Sequence, residues 1–413
     1  MNYSLNFHQF QSAHDSMQDN TNTDMLLDKN LLVIAHRYSA FTKEQIDEIA
    51  KSFDSVTILV RYNRITDLSK YVSHPSLKRF GTDMKIAAES PDNVKVIETP
   101  ILYLPTNLWL RYLGRHHMLK INKLLDRHEI EFDIIHAHFT WTSGYTAARL
   151  KERYNVPYVL TVHENEERLE EELYSGNEDL YRAWEDADAI IRVNKKDCKH
   201  LQEFNDNVYH IPNGFSQDRL PNISQSTARR QLDIPEETEL VFSLGSLIPR
   251  KQFELLIKAI DQLDHRDNLK CVIGGHGKLK SELEKLIHKR ELENKVNLTG
   301  YIDEKNLKYW MNACDVFSLV SRAEGNPTVM FEALGCGSPY VGTDVGGVNE
   351  IITSKKYGLL CEASEEDISR KIEIGLEKDW DFEKIYEYSL NYTWEKIADR
   401  ITNIYINVLC QDE

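Results

Sequence analysis

The chain has 413 residues, which is more than one ordinary hydrophobic core accommodates and favours two α/β domains. Its formal net charge of −16 at pH 7 argues against general nucleic-acid binding, because that function needs a basic surface to neutralise phosphates. The six cysteines form no Cys-x-x-Cys pair and show no zinc-ligand spacing, which predicts reduced, buried thiols in a cytoplasmic protein.

The beginning of the chain carries no signal for export or membrane insertion. Residues 1–28 are polar and acidic, and they lack the basic and then apolar order of a signal peptide. We therefore expect a disordered leader over 1–28. Further along the chain, no apolar run reaches the roughly 18 residues that a membrane span requires.

Short apolar runs alternate with helical patterns from residue 31 onward. A strand is predicted at 31–35, a helix at 42–53 and a second strand at 55–60. Strands are also predicted at 132–138 and 156–162, with a helix between them at 143–153. Continuous apolar strands are typical of a parallel sheet buried on both faces, so this alternation predicts a doubly wound sheet.

The same alternation restarts after Gly214. The pattern predicts strands at 240–244, 269–273 and 296–298, and helices at 254–263 and 279–289. A second Rossmann-like domain is the simplest interpretation. A last helix begins near Trp394, and its apolar face would contain Ile397, Ile401, Ile404, Tyr405 and Val408.

The run from Arg322 to Pro339 contains two glutamates, Glu324 and Glu332, on either side of a predicted helix start. Asn326 is expected to cap this helix and Pro327 to occupy its first position. The amides of Thr328 and Val329 would then be free to bind a phosphate, because a helix N-terminus carries unpaired donors and a partial positive charge. Two carboxylates would bracket one phosphate site.

This run resembles the paired-glutamate motif of the retaining glycosyltransferases with GT-B architecture, in particular glycosyltransferase family four, the glycogen-synthase-like group. The similarity covers roughly residues 130–410 and includes 158–163, 211–214 and the Gly-Gly turn within 344–352. It implies an α/β GT-B fold, with two Rossmann-like domains and a cleft between them. The acceptor domain would be 29–213 plus a returning helix at 394–413, and the nucleotide-sugar domain would be 214–393.

The resemblance also assigns roles on the donor side. Glu324 would contact hydroxyls of the donor sugar, Glu332 the ribose diol, and Lys251 the diphosphate together with amides of the run that contains Gly325, Asn326, Thr328 and Val329. The loop beginning at Gly245 departs from the family, because Ser246 stands where the family has an arginine. Arg250 either replaces that arginine or is a surface residue. Tyr301 either contacts the nucleobase or packs in the core.

Three further residues are predicted on the opposite wall of the cleft. His163 ends an apolar strand, and the resemblance places it beside the anomeric carbon, although a structural role is the alternative. His138 and Glu164 are assigned to the acceptor side. The functions of His36 and Arg37, in a first loop that lacks the family's glycines, remain open.

No metal or other cofactor is expected. His136 and His138 point to the same side of one strand and could share a metal, but no third ligand is evident, so cleft lining or core packing is favoured for both. Asp186 and Asp188 imitate an Asp-x-Asp metal signature but precede an ordinary strand. A metal-independent reaction follows.

The segment 108–128 interleaves basic and apolar residues. This pattern suits either a helix that contacts an anionic bilayer, where a lipid-linked acceptor would be found, or a helix packed on its own sheet with a basic outer face. The expected location is therefore cytoplasmic, with the inner face of the membrane as the site of any such contact.

The predicted function is transfer of a sugar from a nucleotide-diphosphate-sugar to a hydroxyl of a glycan or lipid-linked acceptor, with retention, in glycan, lipid-linked oligosaccharide or cell-surface polysaccharide synthesis. One alternative is a sugar-nucleotide epimerase or hydrolase of the same fold, which would form product without an acceptor. The other is a nucleotide-sugar binding module without turnover, which Ser246 keeps open. The motifs identify neither the base, the sugar nor the acceptor, because they bind the diphosphate and ribose that all such donors share.

Overall fold

A computed structural model describes residues 23–65, 85–103 and 107–411, with the side chains of 23, 24 and 107–111 excluded. Within these residues the chain forms two parallel sheets, one of seven strands and one of six, flanked by helices. The α/β architecture with two doubly wound sheets is confirmed.

The first sheet has the strand order β3-β2-β1-β4-β5-β6-β7, and every pair in it is parallel. Its central strand is buried from Leu31 to Ala35, as expected for a strand covered by helices on both faces. The strands are β1 Asn30–Ala35, β2 Ser55–Asn63, β3 Val94–Ile101, β4 Ile134–His138, β5 Tyr158–Val162, β6 Ala189–Arg192 and β7 Val208–His210. The helices are α1 Phe41–Ala50, α2 Asn107–His128, α3 Tyr145–Tyr154, α4 Glu166–Leu173, α5 Glu178–Glu185 and α6 Cys198–Leu201.

The second sheet has the order β10-β9-β8-β11-β12-β13 and is also parallel throughout. Its strands are β8 Glu239–Leu244, β9 Leu269–Gly274, β10 Val296–Gly300, β11 Val316–Leu319, β12 Tyr340–Thr343 and β13 Gly358–Cys361. Its helices are α7 Gln225–Gln231, α8 Phe253–Asp261, α9 Lys280–Lys289, α10 Glu304–Ala313, α11 Thr328–Gly335, α12 Val348–Ile351, α13 Glu365–Glu377 and α14 Phe382–Ser389. In both sheets the order reverses beside the first strand, and open sheets bind ligands at that position, beyond the carboxyl ends of the strands.

The chain crosses between the sheets twice at one place. Phe215, on the way into the second domain, donates its backbone N–H to Tyr392 (3.1 Å) and accepts one from Trp394 (3.0 Å) on the way back. The last helix, α15 Trp394–Gln411, packs its apolar face into the core of the first domain. Its Tyr405 hydroxyl lies 2.6 Å from Nδ1 of His136 on β4, so the helix is tied to the first sheet by a buried polar contact as well.

The beginning of the described chain differs from expectation. Residues 23–26 form a 3₁₀ turn, and Leu26 is fully buried in the core of the first domain. The disorder predicted for 1–28 is therefore wrong for 23–28, because burial of the Leu26 side chain fixes this segment against β1 and α15. Residues 1–22 lie outside the described residues.

Helix α2 was expected either to contact a bilayer or to pack on its own sheet, and its buried residues distinguish the two. Leu113, His117, Ile121 and Leu125 recur every four residues and are buried, so this stripe faces the domain. The outer face carries exposed basic residues and Leu119. The helix is therefore packed on its own domain. Within the part of the chain that the structure describes, no helix has the length and apolarity needed to cross a bilayer.

The six cysteines are all unpaired. Five of them are buried, as predicted, but Cys410 is exposed because it lies on the outer face of α15 near its end. The prediction of buried thiols is therefore wrong for Cys410.

Candidate active site in the interdomain cleft

A cavity of about 520 Å³ lies between the two domains. Its walls come from the loops that follow the carboxyl ends of strands in both sheets. The first domain contributes His36, Phe41, Arg61, His163, Glu164 and Glu172, and the second contributes Arg250, Lys251, Glu324, Gly325, Thr328 and Val329. Most of the residues predicted on both sides of the cleft are thus brought to one space.

The start of helix α11 differs in one respect from the prediction. The helix begins at Thr328, and Pro327 is the residue before it; Asn326 does not cap it. Instead, the Asn326 side-chain oxygen accepts the backbone N–H of Asn213 (2.8 Å), and its backbone carbonyl accepts the Asn213 side-chain amide (2.7 Å). The predicted cap is wrong because Asn213, at the crossing between the domains, provides a buried pair of hydrogen bonds that the local sequence does not reveal. The amides of Thr328 and Val329 still lie in a first helical turn that borders the cavity, where a helix supplies no acceptor for them.

Glu324 lies just before this helix and is only 5% exposed. Its two carboxylate oxygens lie 2.6 Å from Nζ of Lys251 and 2.7 Å from Nη1 of Arg250. Burial alone would raise the pKa of Glu324, but the two cations outweigh burial and hold that pKa below its ordinary value. The site therefore holds an ionised carboxylate between two cations.

Arg250 faces the cleft rather than bulk solvent. In addition to Glu324, its guanidinium bonds the carbonyl oxygen of Ala323. Ser246, at the family's arginine position, is exposed. Gly245 lies against the lysine stem, since a Cβ at 245 would be 3.3 Å from Cε of Lys251. A larger residue at 245 would crowd the side chain that reaches Glu324.

The Gly-Gly turn abuts the glutamate loop. Gly346 has φ of +57°, and a Cβ there would lie 2.2 Å from the carbonyl oxygen of Glu324. Gly347 donates its backbone N–H to the carbonyl oxygen of Gly325 (2.9 Å). Only glycine combines this backbone conformation with so close an approach, which explains why the turn accompanies the glutamate in the motif.

Glu332 and Tyr301 lie outside the lining of this cavity. The Glu332 carboxylate is buried and forms an ion pair with Arg219, which also pairs with Glu44 of helix α1. Tyr301 is 68% exposed, so core packing does not explain it, and its ring makes an edge contact with His276 at a centroid distance of 6.3 Å. Glu332 is thus already engaged by a cation, whereas Tyr301 presents a largely open aromatic face.

His138, at the end of β4, and His163, just after β5, form a pair. Nδ1 of His138 lies 3.0 Å from Nε2 of His163, and the rings are stacked. Burial lowers the pKa of His138 to about 3 and, together with His138, lowers that of His163. The two rings are therefore neutral at physiological pH, with one N–H shared between them. His136 is a core residue, since Thr161 (2.7 Å) and Tyr405 occupy both of its ring nitrogens.

Glu164 lies beside an acidic partner that the sequence did not reveal. One oxygen of Glu164 accepts the Thr140 backbone N–H (2.9 Å), and the other is buried and finds no partner in the described part of the chain. Glu172, on α4, is 3% exposed; burial and then the charge of Glu164 raise the pKa of Glu172 to about 9. Arg168 donates to Glu172 (3.1 Å). The only sequence signal for Glu172 is its position one helical turn after Arg168, within an acidic run that is typical of a solvated face.

No candidate metal site is evident among the described residues, where no group of three or more His, Cys, Asp or Glu side chains is arranged to hold an ion. Asp188 has a structural role, since it accepts the backbone N–H of Tyr158 (2.8 Å) and pairs with Lys151 (2.6 Å).

Two doubly wound domains that face each other across such a cleft define the GT-B class of glycosyltransferases. A family model described as "Glycosyl transferases group 1" matches residues 224–391, and one described as "Glycosyltransferase Family 4" matches residues 76–219. The chain belongs to this group 1, family four, of GT-B glycosyltransferases and is a nucleotide-sugar glycosyltransferase.

Individual relatives agree with this assignment. An uncharacterised glycosyltransferase of Methanocaldococcus jannaschii is 28% identical over 300 residues, which cover 67% of this chain and 75% of that protein. Two solved structures share the fold. Sucrose-phosphate synthase from Thermosynechococcus elongatus superposes with a TM-score of 0.73 at 18% identity, over 93% of this chain and all of that one. HepE from Anabaena, in complex with UDP-glucose, superposes with a TM-score of 0.63 at 20% identity, over 93% of this chain and all of that one.

Proposed function

We propose that this protein transfers a sugar from a nucleotide diphosphate donor to an acceptor hydroxyl, with retention at the anomeric carbon and without a metal ion. The observation that carries the proposal is the placement of Glu324 between Lys251 and Arg250, immediately before the N-terminus of helix α11. A carboxylate, two cations and free helix amides at one point suit a sugar joined to a diphosphate.

The diphosphate would lie at the start of α11. The amides of Thr328 and Val329 and the cations of Lys251 and Arg250 would stabilise the negative charge that develops as the glycosidic bond breaks. Arg250 would thereby take over the role of the arginine that Ser246 replaces. The ionised Glu324 would accept hydrogen bonds from hydroxyls of the donor sugar.

The acceptor would approach from the first domain. His163 lies on that wall with the buried, neutral ring of His138 against it, and Glu164, the next residue after His163, also lines the cavity. We propose that the acceptor attacks from the face that the diphosphate leaves and that the departing phosphate takes the acceptor's proton. Closure of the cleft would exclude water and limit hydrolysis.

The nucleoside would extend toward Glu332 and Tyr301. A carboxylate can accept both ribose hydroxyls, and an exposed tyrosine offers a stacking surface to any base. The solved HepE complex contains UDP-glucose, so uridine donors are the first to test. Glycan or lipid-linked oligosaccharide assembly is the proposed setting. The outer face of α2, with Arg115, Leu119 and Lys123, would face the membrane when the acceptor is lipid-linked.

A thermal-shift screen tests the nucleotide site first. Uridine, guanosine, adenosine and cytidine diphosphates and their sugar conjugates are added with and without chelator. Stabilisation by one base, unchanged by chelator, supports the proposal and identifies the donor. Absence of any shift would contradict the proposal. It would mean that this site, with Ser246 and the altered first loop, no longer binds a nucleotide.

The reaction itself is tested with the donor so identified. Glu324→Gln is expected to lose transfer while keeping nucleotide binding. Glu365→Gln, which changes a lysine-paired carboxylate on α13, is expected to leave both unchanged. Product without any acceptor would favour the epimerase or hydrolase, and tight donor binding that never releases nucleotide diphosphate with any acceptor would favour a binding module.

A further inference from the structure

The first domain presents a buried arginine to the cleft, and none of the described residues provides a counter-ion for it. Arg61 lies near the carboxyl end of strand β2, is 9% exposed and borders the 520 Å³ cavity. Its Nε and Nη1 atoms are buried and form no hydrogen bond with any residue in 23–65, 85–103 or 107–411. The guanidinium stacks near Tyr103, with its carbon 5.5 Å from the ring centroid. A buried guanidinium with unsatisfied donors is unfavourable unless an anion completes it.

Other basic groups surround this arginine. Lys85 donates to the Arg61 backbone carbonyl (2.9 Å), and burial, followed by the charges of Arg61 and Arg37, lowers the pKa of Lys85 to about 8. His36 also borders the cavity, and its buried Nε2 has no hydrogen-bond partner among the described residues. Burial, then the charges of Arg61 and Lys85, depress the pKa of His36, so it is neutral. Arg37 lies at the exposed rim.

The acids of the same cavity do not neutralise this group. Glu324 is paired with Lys251 and Arg250. Burial raises the pKa values of Glu164 and Glu172, and the nearby cation for both is Arg168. Within the described residues, no carboxylate lies in ion-pair distance of Arg37, Arg61 or Lys85. Among the residues that the structure describes, the positive charge of the cluster is therefore uncompensated.

We propose that Arg61, Lys85, Arg37 and His36 bind a phosphoryl group carried by the acceptor, at a position separate from the donor diphosphate. This inference rests on the proposed function, because it assigns the chemistry of the acceptor at the same cleft. The free Nε and Nη1 of Arg61 leave donors on different edges of the guanidinium, and phosphate oxygens are strong acceptors for such donors. Three cations suit a doubly charged group better than a single carboxylate.

The position of the cluster separates it from the donor site. Arg61 lies near the end of strand β2 in the first domain, whereas the cations of the proposed donor site follow strand β8 of the other domain and are paired with Glu324. A phosphoryl group at Arg61 would hold one end of the acceptor and leave its hydroxyl free to reach the donor sugar.

The test measures pyrophosphate and inorganic phosphate binding by calorimetry. The protein is first saturated with the nucleoside diphosphate that binds it, so that the donor site is blocked. Pyrophosphate is expected to bind to this complex, at least tenfold more weakly in Arg61→Gln and about threefold more weakly in Arg37→Gln. Arg127→Gln, at the exposed end of α2, is the matched control and is expected to bind as the wild type does.

Several outcomes would overturn the inference. Pyrophosphate that the nucleotide displaces completely would belong to the donor site, and equal binding by wild type, Arg61→Gln and Arg37→Gln would exclude this cluster. If Arg61→Gln does not fold, as its melting temperature would show, Arg37→Gln carries the test because its side chain is exposed. Nucleotide affinity within twofold of wild type in each variant shows that the donor site is intact.

The source of the phosphoryl group is distinguished with three soluble probes. Glucose 6-phosphate that binds more tightly than inorganic phosphate indicates a sugar phosphate acceptor. Farnesyl diphosphate that binds more tightly than pyrophosphate indicates a lipid-linked one. Glucuronate is the carboxylate probe, and binding of glucuronate as tight as that of phosphate would contradict selectivity for a phosphoryl group.

The two proposals can fail separately. If the protein binds pyrophosphate through Arg61 but binds no nucleotide, the anion site is supported and the transferase mechanism proposed for the cleft is wrong. If the protein binds nucleotide and transfers sugar but binds no phosphate through Arg61, the transferase function is supported and the phosphoryl-bearing acceptor is wrong.

Discussion

The ammonium group of Lys251 lies 2.6 Å from a carboxylate oxygen of Glu324, so the proposed donor site contains a charged pair within the protein itself. Arg250 holds the second oxygen of the same carboxylate. Two cations and one carboxylate leave a net positive charge beside the N-terminus of α11. A dianionic diphosphate can therefore bind without displacing Glu324, which stays ionised and available to the sugar.

Removal of Lys251 is expected to reduce turnover more than nucleotide binding. In Lys251→Ala the leaving diphosphate loses one of two fixed cations, and kcat should fall by roughly 100-fold or more, as for loss of one preorganised donor. Lys258→Ala removes another lysine of the same domain, paired with Glu365 away from the cleft, and should leave kcat unchanged. Steady-state kinetics of both variants check this expectation. Unchanged kcat in Lys251→Ala would remove this lysine from the mechanism.

Arg219 is expected to position Glu332 for the ribose. It pairs with Glu332 and with Glu44 on α1. Its removal would therefore leave the buried Glu332 carboxylate without its cation. Arg219→Met should weaken nucleoside diphosphate binding by roughly tenfold, about 1.4 kcal/mol, with little change in kcat at saturating donor. Calorimetry and kinetics separate the two effects.

A deoxynucleotide provides the control for that assignment. If Glu332 accepts from the ribose hydroxyls, Glu332→Gln weakens the ribonucleotide but changes the affinity for the 2′-deoxynucleotide much less. Equal losses for both nucleotides would show that Glu332 supports the fold of the site without contacting the ribose.

The parts of this molecule that depend on local sequence were predictable. The buried run at 31–35 became β1, and the alternation after Gly214 became the second sheet, because continuous apolar strands and amphipathic helices are encoded within short windows. The proposed donor site could be read from the Glu324 motif for a similar reason. Its glutamate, helix start and Gly-Gly turn are close in sequence.

Features that depend on distant partners were not predictable. Asn326 is a good cap by local rules, but its partner Asn213 is 113 residues away. Glu172 belongs to an acidic run that suggests solvent exposure, and only the packing of α4 buries it. Arg61 was not identified because its charge becomes unusual only when neighbouring elements remove it from water.

The raised pKa of Glu172, about 9, predicts a pH dependence of stability. The unfolded chain releases this proton near the ordinary pKa of 4.5, whereas the folded protein retains it. Between about pH 4.5 and 9 the unfolded state therefore binds fewer protons, and this group lowers the stability as pH rises. Glu172→Gln keeps an oxygen for Arg168 and removes the titration. It should stabilise the protein by at least about 1 kcal/mol at pH 8 and by much less at pH 5.

Glu171→Gln is the matched control for Glu172→Gln. Glu171 is the preceding residue, is exposed and also pairs with Arg168 (3.0 Å). Melting temperatures of the two variants and the wild type at pH 5 and pH 8 make the comparison. A Glu172→Gln variant whose stability relative to wild type does not change with pH would show that Glu172 is ionised in the folded protein.

The last prediction concerns the Gly-Gly turn, where two glycines of similar conformation allow strain and crowding to be separated. Gly346 and Gly176 have φ of +57° and +61°. A Cβ at Gly346 would lie 2.2 Å from the Glu324 carbonyl oxygen, whereas a Cβ at Gly176 would have no atom within 4 Å. Gly176→Ala should cost about 1 kcal/mol, the cost of a left-handed alanine, and leave transfer intact. Gly346→Ala should cost about 3 kcal/mol or more and abolish transfer, because the Glu324 backbone must move. Chemical denaturation and donor turnover measure both variants. Similar losses in the two would show that backbone conformation alone, and not contact with the Glu324 loop, requires glycine at 346.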